Sequence, residues 1–115
     1  MPRARHIALW EHNGRLYVFF SRTQDNPEHI LVSRVENLHE DWKAWRFTKP
    51  QSVLRPEENY EGVNEPIVQS SFGATYEFVH QLRDPAIYEE GDRLFMVYSA
   101  AGEQAIAIAT LDLRE

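Results

Sequence analysis

The 115-residue chain contains no cysteine, which excludes disulfides and thiolate metal sites and leaves the redox compartment open. It has no apolar run of about eighteen residues, so a helical membrane span is excluded and no membrane partner is expected. The opening Met1-Pro2-Arg3-Ala4-Arg5 lacks the apolar core of a signal peptide, and a cytoplasmic location is the default expectation. Positive charge is in short supply: 12 Lys and Arg stand against 18 Asp and Glu, a formal net charge of −6. A phosphate-backbone binder is normally basic, so nucleic acid is not an expected partner.

What is present is a repeat. Residues 5–22 (RHIALWEHNGRLYVFFSR) and 83–100 (RDPAIYEEGDRLFMVYSA) align at a fixed offset, with Arg5/Arg83, Ala8/Ala86, Glu11/Glu89, Arg15/Arg93, Leu16/Leu94 and Ser21/Ser99 identical. Recurrence of one supersecondary unit marks arrays whose units bury their faces against neighbours.

Each copy reads as a hairpin continuing into a third strand. A short aromatic-rich run (Ile7 to Trp10; Ala86 to Tyr88) meets a polar, Gly-containing turn, and an apolar run follows (Leu16 to Phe20; Leu94 to Tyr98). Such unbroken apolar runs predict cover on both sheet faces. The third strands are Ile30 to Val35 and Ala105 to Leu111. In the latter, Ala105, Ala107 and Ala109 alternate with Ile106, Ile108 and Thr110, placing a thin face opposite a bulky one and suiting close sheet packing. Trp42, Trp45, Phe47, Val53 and Leu54 read as an outer fourth strand of the first copy, ended by Pro56.

The expected fold is therefore all-β: two antiparallel four-stranded-type blades of a propeller, the second lacking its outer strand. Residues 1–56 form the first blade, 57–82 a connector and 83–115 the second blade. A small β-sandwich is the rival arrangement of the same strands. Two blades alone leave faces and edges uncovered, so a homo-oligomer or strand-exchanged assembly is expected.

Antiparallel order brings Arg5, His6, Arg83, Asp84, the Asp25 to His29 turn, the Gly102 to Glu103 turn and the Tyr60 to Glu61 connector to one rim. Acidic, basic and aromatic groups converging in this way mark a candidate site. Each also has a plain structural role open to it: Asp84 as a turn cap before Pro85, Glu61 and Glu103 as solvated loop charges, His6 as a hydrogen-bonded channel residue.

Arg83-Asp84-Pro85-Ala86-Ile87, with Gly91, Arg93 and the Leu94 to Ser99 strand, resembles a blade of the five-bladed β-propeller glycoside hydrolases, of families 43, 32 and 68. Glu61-Gly62, after Tyr60, resembles the Glu-Gly step that carries the general acid in the arabinanase branch. The resemblance covers nearly the whole chain, as the last two blades of five. It implies a carbohydrate partner, Asp84 as transition-state stabiliser with Arg83 beside it, and Glu61 as general acid; Arg5, His6 and Glu103 on the shared rim, with Arg83, are the candidate substrate contacts. It implies no obligatory cofactor, although an axial calcium ion near a histidine occurs among such proteins. Glycosidic cleavage uses one protonated and one ionised carboxyl group about an oxocarbenium-like state. The blade that carries the nucleophile or base has no counterpart here, and His6 occupies the first copy's equivalent of Asp84. The expectation is a portion of a glycosidase-like propeller that is inactive alone; the alternative is a non-catalytic segment for carbohydrate binding or subunit assembly.

Overall fold

The computed structural model describes residues 3–25, 27–55 and 81–112. These form two antiparallel sheets. The first has four strands in the order β1 (Ala4–His12), β2 (Arg15–Arg22), β3 (Ile30–Val35) and β4 (Gln51–Leu54). The second has three, β5 (Leu82–Glu90), β6 (Arg93–Ala100) and β7 (Ala105–Leu111). The all-β fold and the four-plus-three division follow the sequence pattern, and both third strands have the expected bounds.

The repeat is one of backbone geometry as well as of residue type. In the first hairpin Arg5 pairs with Ser21 and Ala8 with Phe19, so His6 and Ile7 together oppose Phe20 in a bulge. In the second, Arg83 pairs with Ser99 and Ala86 with Val97, so Asp84 and Pro85 oppose Tyr98. A bulge leaves its extra residue outside the ladder, which accommodates the missing N–H of Pro85. The bulged residues His6 and Asp84 both have positive φ, 57° and 53°. Tight two-residue turns close the hairpins. Asn13 and Gly14 both have positive φ, the preference of a type I′ turn, and Gly91 supplies the positive φ of the second.

Of the residues expected in the fourth strand, Val53 and Leu54 lie in β4 and Phe47 makes an isolated antiparallel bridge with Val35 of β3, whereas Trp42 and Trp45 lie outside any strand. Residues Trp42–Ala44 form a short 3-10 turn, capped by the Asp41 carboxylate, which accepts from the Lys43 N–H at 3.1 Å. Asn37 closes the segment from outside, donating to the Ala44 carbonyl at 2.9 Å and accepting from the Arg46 N–H at 3.1 Å. Local side-chain partners hold the Trp42 to Arg46 backbone, pairing with the third strand resumes at Phe47 and Thr48, and β4 itself has four residues.

The core lies between the sheets. Tyr17, Phe19 and Ile30 of the first pack with Leu82, Met96, Tyr98, Ala100 and Ala107 of the second. The thin alanine face of β7 points inward, as its alternation predicts. Tyr17 to Phe20 are buried on both faces of β2, as expected of an unbroken apolar run. The second run behaves differently: Leu94, Met96 and Tyr98 are buried while Phe95 and Val97 are only half-buried, because the second sheet is covered on one side.

Candidate functional site

The bulges and the β2–β3 and β6–β7 turns bring the polar residues of both repeats to one end of the molecule. At the centre is Glu28, whose side chain is 0% exposed. Its backbone is held from the second sheet: the Leu82 N–H donates to the Glu28 carbonyl at 2.8 Å, tying the start of β5 to the first sheet.

Arg5 grips the Glu28 carboxylate with two donors, Nε to Oε2 at 2.9 Å and Nη2 to Oε1 at 2.5 Å. Ser21, Arg5's ladder partner, donates its hydroxyl to Oε2 at 2.6 Å. Arg83, the counterpart of Arg5 in the second repeat, lies 3.2 Å from Oε1 through its Nε. One buried carboxylate thus receives a bidentate arginine from its own sheet and an arginine from the next. A fork-shaped guanidinium suits this geometry. The hydrogen bond to Glu28 raises the pKa of Arg5 above its ordinary value, whereas burial lowers that of Arg83. Arg83 Nη2 also donates to Gln81 Oε1 at 2.6 Å, and its Nη1 lies 3.8 Å from Glu103 Oε2.

Above this node the two bulge residues face each other, with His6 Nε2 3.2 Å from Asp84 Oδ1 and each side chain about one third exposed, 33% and 36%. At the flank, Asp25 accepts from Arg22 Nε at 2.9 Å and lies 3.1 Å from Arg3 Nη1. His29 is buried behind the node, its ring nitrogens within 2.8 Å of the Pro27 carbonyl and 3.0 Å of Ser52 Oγ. Burial, more than any other influence, lowers its pKa.

The structure therefore gathers Arg5, His6, Arg83, Asp84 and Glu103 at one end, as the strand order predicts; Glu61 lies outside the described residues. Glu28, the residue that organises them, was anticipated only as part of the Asp25 to His29 turn. Its one sequence signal is a carboxylate placed just before a buried β3 in a chain with repeated arginines. Among the described residues no group of three or more His, Asp or Glu is arranged to hold a metal ion, so the axial calcium has no ligand set there. No helix among them is long and apolar enough to cross a membrane.

The sequence matches no protein-family profile. It is 39% identical over 108 residues, 93% of this chain, to an uncharacterized protein of Acanthamoeba polyphaga mimivirus. The chain spans 30% of the length of that relative. These findings correct the resemblance to five-bladed glycoside hydrolases: the described residues form two separate sheets that close no ring, and the similarity found is to a protein of no assigned activity. The Arg-Asp-Pro triplet that suggested the resemblance has a local explanation. Arg83 serves the Glu28 node, Asp84 takes the positive-φ bulge position that His6 takes in the other repeat, and Pro85 fills the bulge.

Proposed function

We propose that this chain is a non-catalytic β-sheet segment that serves assembly. The observation that carries this reading is the engagement of the rim carboxylates with basic side chains: Glu28 with Arg5 and Arg83, Asp84 with the His6 ring, Glu103 with Arg83, and Asp25 with Arg3 and Arg22. Glycoside cleavage needs one carboxyl group kept protonated beside the leaving oxygen and another ionised at a set distance from it. A carboxylate gripped by guanidinium groups on two sides points at its partners, which suits a clasp between sheets better than proton transfer.

The experiment is a panel of aryl glycosides offered to the purified chain and to its Asp84→Asn variant. The expected result is no turnover by either. Hydrolysis by the parent that the variant loses would overturn the reading.

A second reading, carbohydrate binding without cleavage, is favoured by a cleft of about 350 Å³ where β3, β4 and β7 approach one another. Tyr17, Arg34, Thr48, Gln51, Ser52 and Asp112 line it, a mixture of hydroxyl, amide and charged groups that matches sugar hydroxyls. Calorimetric titration with oligosaccharides tests it, and binding that Gln51→Ala leaves unchanged would place the sugar elsewhere.

A further inference from the structure

The two sheets do not meet through equivalent faces. The first sheet contributes Trp10, Tyr17, Phe19 and Val32 to the interface. The repeat equates Trp10, Tyr17 and Phe19 with Tyr88, Phe95 and Val97 of the second sheet, and the registers equate Val32, paired with Phe19, with Ile108, paired with Val97. None of these counterparts faces the first sheet. The second sheet meets it through the opposite side, with Met96, Tyr98, Ala100 and Ala107. At the interface rim, Trp10 Nε1 donates to Glu89 Oε1 at 3.1 Å. Packing is thus head to tail, one kind of face on the other, and a head-to-tail contact does not close on itself.

On the second sheet the unused face is open. Ile106 is 83% exposed, Ile108 62% and Tyr88 53%, and Phe95 and Val97 lie between them in the ladder. Contiguous exposed apolar side chains of this kind mark an interaction surface. The interface already present shows what covers such a face: a sheet whose third strand turns small residues inward. A second copy of this chain does not offer one. Its alanine-lined face already lies on its own first sheet, and the first sheet's reverse face is buried as well, with Val18 4%, Phe20 0% and Leu31 3% exposed.

We propose that the face formed by Tyr88, Phe95, Val97, Ile106 and Ile108 is the docking surface for a further antiparallel sheet that presents an alanine-lined face. This deepens the assembly reading and rests on it. The matched relative is long enough to carry such sheets, since this chain spans 30% of it.

The absence of cysteine permits a direct test. Ile106→Cys introduces a single thiol on the open face. It is compared in the whole chain and in a tandem protein in which a second copy of residues 56–112 follows the whole chain. The expected result is thiol modification slowed by about tenfold or more in the tandem protein, and restored when the appended copy carries Ala107→Glu. Equal rates in the two proteins would overturn the proposal.

A second measurement makes no demand on the appended unit. Binding of an apolar fluorescent dye to the single chain is expected to fall severalfold in Ile106→Lys with Ile108→Lys, with the circular dichroism unchanged. Undiminished dye binding would overturn the proposal, as would a dimer of the parent chain that these substitutions dissolve, which would make the occupant a second copy. Neither readout involves hydrolysis, so failure here is distinct from failure of the non-catalytic reading.

Discussion

Arg83 of the second sheet reaches the buried carboxylate of Glu28 in the first, 3.2 Å away, beside the bidentate grip of Arg5. The same residue type at the same place in the repeat thus plays two parts. Arg5 braces its own sheet, and Arg83 bridges to the sheet before it.

Removing the shared carboxylate leaves two arginines without their buried counter-charge. Glu28→Ala is expected to destabilise the chain by about 3–5 kcal/mol, the range for breaking a buried ion pair from one side. Urea denaturation followed by circular dichroism measures it, and a loss below about 1 kcal/mol would show that water reaches the node.

His29 gives the fold an acid-side dependence. Its pKa in the folded chain lies below the ordinary 6.5, chiefly through burial, so the folded state favours the neutral ring. The unfolded chain then binds more protons as pH falls below 6.5, and stability is lost from there down to the lower folded value, beyond which this contribution is constant. Unfolding free energies at about pH 7.5 and about pH 5 should differ less in His29→Gln than in the parent. An unchanged difference would assign the dependence to other groups.

The bulge position of the first repeat tolerates few side chains. His6 holds φ at 57°, a conformation open to Gly and Asn and strained for a β-branched residue. His6→Val is expected to cost about 1–2 kcal/mol and His6→Asn much less. Thermal denaturation of both variants checks the order, and equal losses would point to the contact with Asp84 as the dominant effect.

Met96 sits at 0% exposure between the sheets. Met96→Ala should cost about 2–5 kcal/mol, because the alanines around it cannot collapse into the space. A much smaller loss would mean that the sheets close the gap by sliding.

The strands were legible because their signals are local. Two apolar runs bounded by Asn13-Gly14 and Gly91-Asp92 can form hairpins whatever surrounds them, and the alternation of β7 states which of its sides is thin. The Trp42 to Arg46 segment misled for the opposite reason: aromatic residues suit a strand, but Asn37 and Asp41 offered its backbone nearer partners. The run Leu94 to Tyr98 is as apolar as Leu16 to Phe20, yet only the latter is covered on both sides.

By itself, then, the sequence determined the repeat, the antiparallel pairing within each unit and the end of the molecule at which the polar residues collect. These follow from side-chain period and turn chemistry, which act over a few residues. Only the tertiary structure decided that Glu28 is shared by arginines of both units, that the sheets stack through unlike faces and that Ile106 and Ile108 are left outside. Those outcomes depend on contacts between residues distant in the chain, and residue type alone carries no record of which of two apolar faces finds a partner.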